Sequence, residues 1–104
     1  MKEVTVFELR DKIAAGEDFQ LVDVREVFEY ETGNLEGLNI PLANVLLEAG
    51  SIDKHKQVII HCRSGARSAA AVMQLERELG LTNLYNLKGG IMAWAVEIDP
   101  KVQV

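Results

Sequence analysis

The chain has 104 residues, of which 48% are hydrophobic and 26% charged, and a formal net charge of −5. This describes one soluble α/β-sized domain over residues 1–104, with room for a single core. No apolar run approaches the ~20 residues of a membrane helix, and the acidic balance argues against general nucleic-acid binding.

Thr5 and Glu8 form a T-x-x-E capping box, and Val6, Leu9 and Ile13 follow at helical spacing, which predicts a first helix over Val6–Ala15. Gln20–Val24 is short and β-branched, a buried strand. Val27–Glu31 reads as a short helix and Thr32–Gly37 as a loop. Leu38–Pro41 is extended, because Pro41 cannot sit in a central ladder. Leu42–Glu48 is expected to be helical. Gln57–His61 is the clearest strand, its continuous apolar run suiting burial on both faces. Ser68–Leu79 is the clearest helix, with Val72, Leu75 and Leu79 on one face and Gly80 after it. Asn83–Leu87 is a strand, Lys88–Gly90 a tight turn, and Ile91–Val96 begins a last helix. Strands alternating with helices imply an α/β fold with a mainly parallel sheet. Sites in such folds lie beyond the C-terminal strand ends, so Asp23–Arg25, Cys62–Arg67 and Lys88–Gly90 should meet on one edge.

Cys62 is the only cysteine, so there is no internal disulfide and no resolving partner. With only His55 and His61 beside it, a zinc site would need mostly carboxylates, and no metal or organic cofactor is expected. The N-terminus MKEVTVFELRDK has no signal-peptide core, so a cytoplasmic location is expected. Charge is uneven. Residues 54–75 hold Lys54, Lys56, Arg63 and Arg67 and no acid, whereas residues 23–36 hold five acids and one arginine.

Cys62 therefore leaves a strand inside a positive stretch, and a helix begins about six residues later. Backbone N–H groups directed into such a loop, together with a helix N-terminus, attract anions and stabilise a thiolate. Gly65 permits a positive φ where the loop must turn tightly. Cys62 reads as a nucleophile in an anion cradle formed by Arg63, Ser64, Gly65, Ala66 and Arg67. Cysteine phosphatases need a longer loop, with their arginine one position later, where this chain has Ser68. The smaller ring suits one added sulfur atom, a persulfide.

The segments L21-V-D-V-R-E26, G33-N-L-E-G-L-N-I-P-L42, V58-I-I-H-C-R-S-G-A-R-S68 and N86-L-K-G-G-I-M-A-W94 together resemble the single-domain rhodanese family of sulfurtransferases. The resemblance implies a three-layer α/β/α fold around a five-stranded sheet. It implies Cys62 as the sulfur-accepting nucleophile, with Arg63 to Arg67 holding the persulfide and the incoming anion. It also implies a sulfane-sulfur donor such as thiosulfate, and cyanide, a thiol or a redoxin-like protein as acceptor. The alternative is a rhodanese-like binding or regulatory module without chemistry. The chain departs from the family's common G-H-I-x-G in having Asn34, which cannot titrate near neutral pH, and is expected to serve only the loop.

Supporting roles follow. Arg67 either grips donor oxygens with its planar fork or pairs with a strand-end acid such as Asp23. Arg63 is expected at the rim, where it would steer anions. Asp23 and Arg25 are expected to form a structural pair. Ser68 should serve hydrogen bonds at the helix start. Gly89 and Gly90 form the facing turn, and Trp94 either walls the pocket or packs in the core. His61 should point away from the pocket, since neighbours on a strand face opposite sides.

Overall fold

The computed structural model describes all 104 residues. In chain order the elements are β1 (Glu3–Val4), α1 (Val6–Ala14), β2 (Gln20–Asp23), α2 (Val27–Thr32), β3 (Leu38–Asn39), two 3₁₀ turns (Leu42–Asn44 and Ala49–Ser51), β4 (Val58–His61), α3 (Ala66–Leu79), β5 (Leu84–Leu87) and α4 (Gly90–Glu97). The five strands lie in the order β1-β5-β4-β2-β3, and every neighbouring pair is parallel.

Hydrophobic alternation along β4 builds the layers. All four β4 residues are fully buried. Val58 and Ile60 join Val22, Val24, Ala71, Val72 and Leu75 in the core beneath α3. Ile59 turns the other way, to Val4, Val6, Leu9 and Leu87, where α1 and α4 pack. Each such side chain stabilises the fold by roughly 1.5–3 kcal/mol relative to exposure. The result is the expected α/β/α sandwich, with β4 at its centre and its C-terminal end feeding the cysteine loop.

The Thr5–Glu8 capping box forms as the sequence requires: Glu8 N–H donates to Thr5 Oγ1 at 3.1 Å and Thr5 N–H donates to Glu8 Oε1 at 2.9 Å. Two expectations need correction, and one strand was not expected. Leu42–Glu48 is not a helix but a tight 3₁₀ turn over Leu42–Asn44 followed by irregular turns. Only Val45 is buried there, while Leu46 and Leu47 are exposed. Too narrow a stripe meets the core to hold a helix, whose stability comes mostly from packing. Helix α3 starts at Ala66, two residues before the expected Ser68, because Gly65 takes the N-cap position. Finally, β1 has no sequence signature; two residues pair with β5, Glu3 opposite Asn86 and Val4 opposite Leu87.

Candidate active site

Cys62 follows the last residue of β4 and is 1% exposed. Its Sγ receives the Gly65 N–H at 3.1 Å and the Ser68 N–H at 3.4 Å, and the Ser68 hydroxyl lies 3.4 Å away. Gly65 stands at φ 112°, in the left-handed region, which turns its N–H back onto the sulfur and starts the 14-residue α3. A residue with a Cβ would be strained there. Burial pushes the thiol pKa up. The Ser68 hydroxyl and N–H, with the Gly65 and Ser64 N–H groups, outweigh it and bring the thiol below its ordinary value.

The facing turn holds this loop from the other side. Ile91 N–H donates to the Cys62 carbonyl and Met92 N–H to the Arg63 carbonyl, both at 3.0 Å. Gly90 comes so close that a Cβ on it would stand 2.5 Å from the Arg63 carbonyl oxygen and 2.6 Å from that of Cys62. Gly89 and Gly90 therefore shape the loop through its backbone.

Asn86, at the C-terminal end of β5, was missed in the sequence. It is 5% exposed. Its Nδ2 donates to the Gly65 carbonyl at 3.2 Å, and its Oδ1 accepts the Ser68 hydroxyl proton at 2.5 Å. The Ser68 oxygen is thus left with lone pairs toward the sulfur. It can accept the proton of a Cys62 thiol, and can donate to a thiolate after rotating its own O–H. The available signal was a polar residue inside the apolar run of β5, immediately before the Lys88–Gly90 turn.

Asp23 and Arg25 form a buried pair, both at most 1% exposed. Arg25 Nη2 lies 2.8 Å from Asp23 Oδ2, and its Nε donates to the same carboxylate at 3.1 Å. Arg25 Nη2 also donates to the Gly33 carbonyl at 2.7 Å, tying the loop after α2 to β2. Asn34 serves that loop: its Nδ2 donates to the Tyr30 carbonyl at 3.0 Å and its Oδ1 accepts the Glu36 N–H at 2.8 Å. His61 is completely buried beside the pair, with Nε2 3.6 Å from Asp23 Oδ2 and Nδ1 3.3 Å from the Cys62 carbonyl oxygen. Burial pushes its pKa down, against the opposing charge of Asp23.

Arg67 does not pair with Asp23. Its two terminal nitrogens grip Glu29 of α2, Nη1 to Oε1 at 2.7 Å and Nη2 to Oε2 at 2.9 Å. Asp23 is already occupied by Arg25. Arg63 is exposed at the rim and belongs to none of the ion pairs. Ser64 and Ala66 are exposed beside it. Trp94 is half-buried and packs with the core of Val4, Leu9, Ile59 and Leu87 on the α1–α4 side. There it lines a cavity of about 290 Å³ with Ile13, Asn34 and Leu35, while Cys62 belongs to the core beneath α3. The other large openings also lie away from the thiol; one of about 270 Å³ sits between Gln20 and Lys56, at the starts of β2 and β4. Cys62 instead stands at the base of its own loop, an arrangement that admits a narrow reacting group.

The Arg67 guanidinium holds the Glu29 carboxyl far down, from its ordinary 4.5 to about 2, against the opposing effect of burial. A depressed carboxyl contributes stability that is complete above its unfolded value and is lost as pH falls through its folded value. We expect wild-type stability to fall between pH 5 and pH 2 more steeply than that of Glu29→Gln. Urea unfolding across that range measures it, and parallel acid limbs would contradict the pairing.

A parallel five-stranded α/β sandwich with a buried thiol held by N–H donors belongs to the class of α/β proteins that place a cysteine at a strand–helix turn. Within that class, a family model described as the rhodanese-like domain matches residues 5–97. The chain belongs to that family. Among relatives, YqhL of Bacillus subtilis is 39% identical over 102 residues, covering 97% of this chain and 78% of that one. A protein of Allochromatium vinosum named sulfurtransferase is 36% identical over 96 residues, covering 91% and 89%. The crystal structure of a rhodanese-related protein from Thermoplasma volcanium superposes with a TM-score of 0.84 at 33% identity, covering 99% and 98%. No helix of this chain is long and apolar enough to cross a membrane.

Proposed function

We propose that the protein is a sulfurtransferase that carries sulfane sulfur as a persulfide on Cys62. The observation that carries this reading is the sulfur atom itself, held by the Gly65 and Ser68 N–H groups at the start of α3. Family membership and the name of the Allochromatium relative support it.

The reaction is a double displacement. The Cys62 thiolate attacks the outer sulfur of a donor, forming an S–S bond as the bond to the leaving group breaks. With thiosulfate, sulfite leaves with the bonding electron pair. An acceptor nucleophile then attacks the terminal sulfur of the persulfide and Cys62 departs as thiolate. Cyanide becomes thiocyanate, and a thiol becomes a persulfide. The N–H groups that stabilise the thiolate also lie on the side where the persulfide's charge develops. Ser68, oriented by Asn86, is a positioning residue. With no second cysteine in the chain, the acceptor comes from outside. Small thiols and redoxin-like proteins fit this role, and no cofactor takes part in either step.

Initial rates of thiocyanate production, with thiosulfate and cyanide varied together, test the reading. We expect parallel double-reciprocal lines. Intersecting lines would point to a complex of both substrates and overturn the persulfide intermediate.

A further inference from the structure

Glu29 occupies the fork of Arg67, and this bears on which molecules reach the sulfur. Both terminal nitrogens of Arg67 are engaged. Glu29 is itself held in place, because its Oε1 also accepts the Glu26 N–H at 3.0 Å as part of the α2 capping box. The Glu29 side chain is 18% exposed and that of Arg67 35%, so the pair is partly shielded from water. Arg67 stands in the first turn of α3, between Gly65 and Ser68, whose N–H groups both bond the Cys62 sulfur. Asp23 and Arg25 cancel each other beneath the loop. Arg63 is therefore the cation of the cysteine loop with no acid partner, and the thiolate beside it in the chain is itself negative. An incoming molecule with two negative charges meets little net attraction.

We propose that Glu29 is a specificity-determining residue that selects the electrophiles reaching Cys62 by their charge, working against dianions. Resting on the sulfur-transfer reading, this favours thiosulfonates, which carry one charge, and uncharged alkyl persulfides over dianionic thiosulfate. With methanethiosulfonate, Cys62 takes the outer sulfur and methanesulfinate leaves with the electron pair, just as sulfite leaves from thiosulfate. The reaction is the same, and only the charge presented to the Arg67–Glu29 pair differs.

Alkylation of Cys62 reads this selection whether or not sulfur is transferred. The thiolate displaces iodide from iodoacetate, an anion, and from iodoacetamide, which is neutral. The ratio of the two thiolate rate constants therefore reports the local field. We expect Glu29→Gln to raise the iodoacetate-to-iodoacetamide ratio by about three- to tenfold at low ionic strength, with the gain shrinking in 0.5 M salt as screening sets in. Glu29→Asp, which keeps the charge, should stay near wild type. So should Glu31→Gln, which removes an exposed charge of α2 that does not meet Arg67. In sulfur loading, Glu29→Gln should favour thiosulfate over methanethiosulfonate by a similar factor. An unchanged alkylation ratio in Glu29→Gln, or an equal rise in Glu31→Gln, overturns the proposal. A raised ratio with no sulfur loaded from either donor upholds charge selection by Glu29 and overturns the sulfur-transfer reading alone.

Discussion

Cys62→Ser is expected to take up no sulfur. Intact mass of the wild-type protein should rise by about 32 Da, one sulfur atom, after exposure to a sulfane-sulfur donor, and cyanide should return it to the starting mass. The serine variant should stay unchanged throughout, with turnover at background. The physical reason is specific to sulfur. The hydrogen bonds to the sulfur lower the thiol pKa below its ordinary value, whereas a serine hydroxyl in the same cradle ionises far less readily than any thiol. An S–S bond also requires a sulfur nucleophile. Serine is close in size to cysteine, and Gly65 and Ser68 remain to bond it, so the variant should fold. Sulfur uptake by Cys62→Ser, or uptake by wild type that cyanide does not reverse, would refute the assignment of Cys62 as carrier.

The second large effect is on stability. Asp23→Ala should destabilise the fold by about 3–5 kcal/mol, because it leaves the Arg25 guanidinium buried without its counter-charge. For a domain of this size that lowers the melting temperature by about 15 °C or more. The loss has three routes. Arg25 loses its bonds at 2.8 and 3.1 Å, the Arg25 backbone N–H loses its 2.9 Å bond to Asp23 Oδ1, and the anchor from Arg25 to Gly33 loosens. Asp18→Asn provides the contrast. Its partner Lys56 lies 3.0 Å away, but the aspartate side chain is 86% exposed, so the change should cost at most about 1 kcal/mol. Thermal melts of both variants decide the matter. A melting temperature for Asp23→Ala within a few degrees of Asp18→Asn would show that the buried pair does not hold the site edge.

The two variants separate the layers of the site. In the proposed reaction Cys62 performs the chemistry, and its replacement by serine is expected not to loosen the sheet. Asp23 and Arg25 make no hydrogen bond to the sulfur, yet they join β2 to the loop after α2, the helix that carries Glu29. Weakening them should loosen the hold on Arg67 as well. The site is thus supported in three steps: the buried pair steadies α2, Glu29 steadies Arg67, and Asn86 with Gly90 steadies the backbone around Cys62.

Much of this was legible in the sequence because it is local. The Thr5–Glu8 box starts α1, the apolar run of β4 leads into the thiol, and the spacing from Cys62 to Arg67 sets the size of the ring. Neighbours along the chain impose those features through bond geometry and backbone hydrogen bonds, whatever the rest of the molecule does. The same reasoning failed for Leu42–Glu48, where helical propensity met a surface that buries only the Val45 side chain. It also passed over β1, whose two residues become a strand only by pairing with β5.

What the sequence by itself determined was the position of the candidate nucleophile, the loop that turns N–H groups toward its sulfur, and the alternation of strand and helix that places the loop at a sheet edge. Only the tertiary structure decided which acid each arginine meets. Asp23 was the visible candidate for Arg67, but Arg25, two positions along, reaches it first, and Glu29, 38 residues from Arg67, takes the free fork. Asn86 likewise reaches Ser68 across 18 residues, because β5 and β4 are neighbours in the sheet. Charge interactions depend on distance through space and on burial, and neither is set by separation along the chain. The field around the thiol is therefore a property of the folded molecule, even though the thiol and its loop are written in consecutive residues.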